Sequence, residues 1–445
     1  MTKARLDGSD WYFRPDAPHA FGCDGCFLLG VCGGLRVKGA AFDCQRFCCR
    51  QPDCKLVCFN SPVNYANRMR EVGGFDLSTI PQCAPVTIER LRGFAPLIHH
   101  AYSRKELFFN ETIAISLYEL LDREGAPRYF SREHITQNFR ISSTAKLIVS
   151  GIQKDHLLER IWRSPHRNSI VAMLKTIGVS AFTSPNFSVY NNVPRPENLY
   201  NIKRIALFSH EFLSAGVPTA LHINACTDAD YAGYTEFLAT HTEFEAVSFD
   251  FITGPGYPSR MWWHVRKLIE LRNQVRRQIQ LILRGGAHAL HGLSAAYSDI
   301  VVIDSKPLQT ALRRHRMVFG NDGSMKVVEN YLPKGDAVDD LLSQNVAAAK
   351  ARVNFLLKHP RIANSLAKIS RQKSHIAGNA DDKARQMNFL TNSRVMKTRT
   401  DALDQEGVIA ATKSKRAANV HKTAEQVPES TPVSGESAKP RSSVG

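Results

Sequence analysis

The sequence predicts an α/β protein: a (β/α)8-like barrel with an N-terminal Cys-rich metal-binding module and a disordered C-terminal tail. Three observations predict it. Short apolar runs alternate with segments of helical period from about residue 91 to 358. Eight of the ten cysteines lie between residues 23 and 58. Periodicity and apolar content fade after about residue 360. These give three regions: 1–90 as the Cys-rich module, 91–358 as the barrel and 359–445 as a basic tail.

The apolar runs are FAPLIHHA (94–101), AKLIVSGI (145–152), VSAFTS (179–184), TALHINA (219–225), AVSFDFIT (246–253), IQLILRGG (279–286), DIVVIDS (299–305) and MKVVENY (325–331). Parallel strands need a crossover between them, so strands alternating with helices indicate parallel β/α units. Eight candidate strands fit a closed barrel, with an open doubly wound sheet as the alternative. The helical segments include NSIVAMLKTIG and ENLYNIKRIALFSHEFLSAG, where Gly216 suits the left-handed position after a helix end. DADYAGYTEFLATH follows, with Asp228 or Asp230 as its N-cap, then SRMWWHVRKLIELRNQVRR.

Residues 22–58 read GCDGCFLLGVCGGLRVKGAAFDCQRFCCRQPDCKLVC. Cys23, Cys26, Cys32, Cys44, Cys48, Cys49, Cys54 and Cys58 are spaced C-x2-C-x5-C, then C-x3-C-C-x4-C-x3-C. In a reducing compartment such crowding points to metal rather than to disulfides. Four thiolates suit zinc or an iron–sulfur cluster, and eight could serve two sites. Ligation by cysteine alone, among aliphatic and aromatic neighbours, favours iron–sulfur; the C-x2-C pair favours zinc. Metal bonds can replace the core that a loop-rich module lacks.

In parallel β/α folds the active site lies at the C-terminal ends of the strands. Reading those ends gives Asn186 and Tyr190, then Asn224, then Asp250, then Arg284-Gly285-Gly286 with His288, and finally Asp304 and Lys306. Asp304 and Asp250 are the candidate general bases or nucleophiles. Lys306 and Arg284 suit stabilisation of an anion. The paired glycines let backbone approach a phosphate or carboxylate. Each residue also has a structural reading: Gly-Gly as a turn, Asp304 as a helix cap, Asp250 as an ion-pair partner.

Lys and Arg number 58 against 41 for Asp and Glu, a net charge of +17. Such an excess favours polyanions, nucleic acid foremost. The clusters Lys397–Arg399 and Lys413–Arg416 suit a phosphate-contacting arm. The tail composition cannot bury enough apolar surface to order itself. No apolar run approaches the roughly 20 residues that span a bilayer, so no membrane partner is expected. The N-terminus lacks an apolar signal core, which makes a cytoplasmic location the default.

The stretch from SPNFSVYNNVPRPENLY to RGGAHALHGLSAAYSDIVVIDSKP, about residues 180–310, resembles an uncharacterised bacterial and phage domain of unknown function. The likeness rests on S-P-N-F-S-x-Y, the helix after it, G-V-P leading into a strand, and the late Gly-Gly. It implies no activity. The order GG, DxxP, RR is also similar to that of the tRNA-guanine transglycosylases, barrel enzymes with an aspartate nucleophile and a cysteine-rich zinc site. In those the cysteines lie near the C-terminal end of the barrel; here they precede it.

These features lead to a metal-containing barrel enzyme acting on nucleic acid or a nucleotide-like substrate. Two alternatives stand beside it: a non-catalytic, zinc-dependent nucleic-acid binder, and an enzyme on a small anionic metabolite.

Overall fold

The computed structural model describes residues 19–20, 22–34, 44, 54–101, 103–190, 193–256, 258–320, 323–330 and 332–359. Cys48, Cys49 and the basic tail lie outside these residues. Eight parallel strands form the barrel: β1 (Gly93–Pro96), β2 (Thr112–Ser116), β3 (Lys146–Ser150), β4 (Ala181–Thr183), β5 (Thr219–His222), β6 (Ala246–Asp250), β7 (Gln280–Arg284) and β8 (Ile300–Asp304). They are hydrogen-bonded in the order β1-β8-β7-β6-β5-β4-β3-β2. A parallel bridge between Leu97 and Ala114 joins β1 to β2 and closes the ring.

The described helices are α1 (Leu29–Cys32), α2 (Pro62–Glu71), α3 (Arg132–Phe139), α4 (Asp155–Trp162), α5 (Arg167–Thr176), α6 (Arg195–Ser214), α7 (Asp228–Thr240), α8 (Pro258–Val275), α9 (Leu290–Leu293), α10 (Lys306–Leu312) and α11 (Asp339–Lys358). Every crossover from β2 onward carries helix, but β1 reaches β2 through a loop. Helix α11 packs against β1 and α10, covering that flank. None of these helices is long and apolar enough to cross a membrane.

Seven of the apolar runs became barrel strands. The eighth, MKVVENY, did not: its residues form β10 (Met325–Glu329), antiparallel to β9 (His315–Phe319) in a hairpin outside the ring. The missing strand is β2, from the short run TIAIS. Helix α7 is capped by Thr227 rather than by an aspartate. The Thr227 hydroxyl accepts from the Asp230 N–H, and Asp230 reaches back to the Thr227 N–H, a reciprocal capping box. Gly216 does take φ +88° just after α6, and the Val217 N–H returns to the Phe212 carbonyl at 3.0 Å.

Alternation along each strand divides the barrel into inside and outside. Ala95, Ala114, Ile148, Ala181, Ala220, Ala246, Ile282 and Val301 form one buried cluster within the ring. Ile88 and Leu91, from the segment before β1, join it. The Leu91 N–H donates to Gln280 Oε1 at 3.2 Å, so that segment plugs the N-terminal end. The outward residues, such as Leu147, Phe182, Val247 and Leu283, pack with the helices in the larger core.

The N-terminal segment packs on α6. Leu28, Val57, Tyr65 and Phe75 share a cluster with Leu199 and Tyr200. The Val57 N–H donates to Glu197 at 2.6 Å, and Glu71 accepts from Trp162 at 2.6 Å and from Tyr200 at 3.0 Å.

Candidate functional site

Continuing the inward alternation toward the C-terminal ends replaces alanine by polar side chains. Ser150, Thr183, His222, Ser248, Asp250 and Arg284 share the parity of the apolar plug beneath them. His222 Nδ1 lies 3.1 Å from Ser248 Oγ, and the backbone N–H of His222 donates to Ser184 Oγ at 2.9 Å. Burial, with Arg284 nearby, holds the His222 imidazole down to a pKa of about 3, so it is neutral at pH 7.

Arg284 is the centre of the mouth. It stands at the end of β7, and one of its guanidinium N–H groups donates to the Ile152 carbonyl. Ile152 follows β3, four strands away and therefore opposite β7 in the ring. The side chain thus lies across the barrel opening. Asp250, its register partner on β6, and Asp304 of β8 flank it, with Tyr118 also within electrostatic reach. Burial lowers the pKa of Arg284, while the two aspartates and Tyr118 act in the opposite sense.

Burial raises the pKa of Asp250, offset by the Ile252 N–H at 2.8 Å and by Arg284. Burial likewise raises that of Asp304, offset by the Lys306 N–H at 2.8 Å and by Lys306, Arg284 and Arg352. Asp304 has the outward parity of Val302, so it sits on the rim and supports the start of α10. Lys306 is exposed beside it. His288 lies near Arg352 of α11, at 3.1 Å.

Gly285 and Gly286 both occupy the left-handed region, at φ +67° and +66°. A Cβ on Gly285 would lie 2.6 Å from Ile252 Cγ1, and one on Gly286 2.4 Å from Phe251 Cβ. The Gly285 N–H donates to the Ile303 carbonyl at 2.8 Å. The pair therefore lets the loop after β6 pack against the end of β7, and the Gly285 amide serves the sheet.

Asn186, Tyr190 and Asn224 tie neighbouring strand-end loops together. Asn186 Oδ1 accepts from the Gln153 N–H at 2.9 Å, and Asn224 Nδ2 donates to the Phe187 carbonyl at 2.9 Å. The Tyr190 hydroxyl donates to Asp155 at 3.1 Å.

Sequence reasoning missed a second group at the mouth. His99 and His100 follow β1, and Glu119 follows β2. His99 Nδ1 is hydrogen-bonded to Glu119 Oε1, and the other oxygen accepts from the His100 N–H at 3.3 Å. His100 Nε2 meets the Tyr129 hydroxyl and its ring stacks on Phe139. The buried Arg104 guanidinium holds the carbonyls of His99, Phe139 and Arg140. The Leu97 N–H donates to the Asp304 carbonyl at 3.0 Å, so this loop runs beside the β8 end. The HH pair in FAPLIHHA was the available signal.

Of the eight cysteines in the block, Cys23, Cys32 and Cys58 are buried, Cys26 and Cys44 half-buried and Cys54 exposed. Among the described residues, no three His, Cys, Asp or Glu side chains stand in an arrangement that holds a metal ion.

No family model matches the chain, and no curated protein matches it. Among solved structures it is similar to a crystal structure from Coccidioides immitis described as "a putative fructose-1,6-biphosphate aldolase", at 10% identity and a TM-score of 0.30, over 66% of this chain and 96% of that one.

Proposed function

We propose that the C-terminal mouth of the barrel is the active site of an enzyme acting on nucleic acid or a nucleotide-like substrate. The observation that carries this reading is Arg284, laid across the opening between Asp250 and Asp304. A guanidinium presents a planar fork of donors to a phosphate or carboxylate, and there its charge acts in a partly dry site. The net charge of +17 favours a polyanion over a neutral substrate.

Asp304 is the candidate nucleophile, as the resemblance to the transglycosylases implies, and it sits at the rim where a bulky substrate can reach it. In a glycosyl transfer its carboxylate oxygen attacks the sugar carbon. The bond to the base breaks with its electron pair on the base, which takes up a proton. His99, held through Nδ1 by Glu119, is the proton donor on the neighbouring strand end. Asp250 keeps Arg284 in place, and Lys306 adds positive charge beside the leaving group.

The test is a denaturing gel of the full chain with labelled single- and double-stranded RNA and DNA. Wild type is expected to give a slow-migrating covalent band. Asp304→Asn should lose that band yet keep binding within about threefold. Arg284→Gln should weaken binding roughly tenfold or more, the loss expected for one charge-assisted contact. Absence of binding to every polymer at low salt would defeat the proposal. The span of Arg284 across the opening favours one other reading, a small anionic metabolite. Saturable protection by nucleotides or inorganic phosphate, without polymer binding, would select it.

A further inference from the structure

The hairpin of β9 and β10 stands outside the ring, and its two edges differ. The edge of β9 is covered by Asn345, a fully buried residue of α11. Asn345 Oδ1 accepts from the Met317 N–H at 2.6 Å, and its Nδ2 donates to the His315 carbonyl at 3.1 Å. Those backbone groups therefore point away from β10. The Gly320 N–H donates to the Ser324 carbonyl at 2.9 Å and the Asn330 N–H to the Arg314 carbonyl at 3.2 Å, so the even-numbered residues face each other across the hairpin. Bonded and non-bonded pairs alternate along an antiparallel ladder. Met325, Val327 and Glu329, opposite Phe319, Met317 and His315, thus turn their N–H and C=O groups to the far side of β10. No described residue bonds them there.

An open strand edge is a template for another strand, and folded proteins usually cover it, bend it with a bulge or place proline in it. β10 has none of these. It reads MKVVE, its register with β9 is unbroken, and no other described helix or strand packs along it. One face of the hairpin turns to α11: Met317 is buried, and Phe319 meets Phe355 edge-on. The other face carries Arg316, Val318, Lys326 and Val328, the first three of them exposed. Neither cation has an ion-pair partner among the described residues. Glu329, the carboxylate of β10, lies on the α11 face, across from His315. Val327 is 46% exposed at the open edge.

We propose that β10 takes up an extended acidic segment of a partner protein as a third strand of this sheet. Cross-strand neighbours set the pattern of that segment. The residue beside Lys326 is a carboxylate. The next, on the α11 face, is apolar and covers Val327. The third, beside Val328, is again a carboxylate, with the long Arg316 side chain on the far side of that valine. Main-chain bonds to Met325, Val327 and Glu329 hold the strand, and the carboxylates give selectivity. A second copy of this chain fits worse. It would bring its own Lys326 and Arg316 to the same face, in a protein of net charge +17. Binding here does not depend on the chemistry at the mouth.

The experiment is fluorescence anisotropy of the full chain with short labelled peptides. One alternates glutamate with valine, and a second alternates lysine with valine. A third is the acidic peptide with its valine amides N-methylated, which keeps the charge and removes the donors that would face β10. Wild type is expected to bind the acidic peptide about tenfold or more tightly than either of the others. Lys326→Glu, at an exposed position, should cut the preference for the acidic over the lysine peptide by about tenfold. Val327→Pro removes an outward N–H without touching the ladder to β9, and should weaken the acidic peptide by about tenfold. Circular dichroism checks that both variants keep the fold. Equal binding of the methylated peptide would mean attraction to net charge alone and would overturn the proposal. So would no binding by wild type, an unchanged preference in Lys326→Glu, or a peptide-free dimer that Val327→Pro abolishes.

Discussion

Replacing Arg195 by alanine is expected to destabilise the fold by about 3–5 kcal/mol, the cost of stranding one member of a buried ion pair. The Asp230 side chain is 1% exposed and its only ion-pair partner among the described residues is Arg195. It also accepts from the backbone N–H groups of Cys226 and Thr227, at 2.8 and 3.0 Å. Those bonds fix the carboxylate in place, so it cannot swing out to solvent when the guanidinium is removed. Arg195→Lys should recover less than half, because an ammonium cannot reach Asp230 together with the Cys32 and Cys226 sulfurs that the guanidinium also donates to. Urea unfolding followed by circular dichroism measures both. A loss below about 1 kcal/mol for the alanine variant would show that the pair contributes little.

The second large effect is acid lability. His222 and His264 are buried, and both are held neutral down to a pKa of about 3, His222 by burial and Arg284, His264 by burial and Arg260. In the unfolded chain each titrates near 6.5. Between about pH 6.5 and 3 the unfolded state therefore binds protons that the folded state refuses. The stability these residues contribute is complete above pH 6.5 and is lost as pH falls, by about 1.4 kcal/mol per pH unit for each histidine. His100, His210 and His288 are also held down and act in the same sense. Asp250 and Asp304 act oppositely, since their raised folded values favour protonation of the native state. The upper part of this range, from pH 6.5 towards 5, is therefore set mainly by the histidines. Unfolding free energies measured across it should fall with a slope that rises from about one proton towards two. His222→Asn, which can still bond Ser248, should remove about one of them. A flat profile from pH 7 to 5 would contradict the burial argument.

The barrel was legible in the sequence because buried parallel strands are short, apolar and separated by helices. It failed where that alternation breaks. Among the described residues no helix joins β1 to β2, so TIAIS carried no flanking signal, while MKVVENY had a strand's composition without the crossover that makes it parallel. The strand-end rule found Arg284, Asp250 and Asp304 together. It could not find Glu119 or Tyr118, since both depend on placing β2. His222 was passed over because TALHINA reads as ending after Asn224, which leaves the imidazole inside an apolar run. The parity that turns Asp250 inward and Asp304 to the rim needs the register of neighbouring strands. The meeting of Cys32 and Cys226 at the Arg195 guanidinium, at 3.4 and 3.5 Å, is wholly tertiary, since no local spacing encodes it.

The single bridge between Leu97 and Ala114 has a consequence for how this ring comes apart. Every other pair of neighbouring strands is joined by at least two registered residues, whereas β1 and β2 share one bridge and the Ile98 N–H bond to the Ala114 carbonyl at 2.9 Å. Breathing should begin at this clasp, converting the closed cylinder into an open sheet with β1 and β2 as its edges. Amide exchange can see it directly. The Ile98 amide should exchange faster than that of Leu97, its neighbour in sequence, because Leu97 is bonded to Asp304 on the other side. Opening there also parts His99 from Glu119, so the mouth should lose its shape at temperatures where the helices and the remaining strands are still intact.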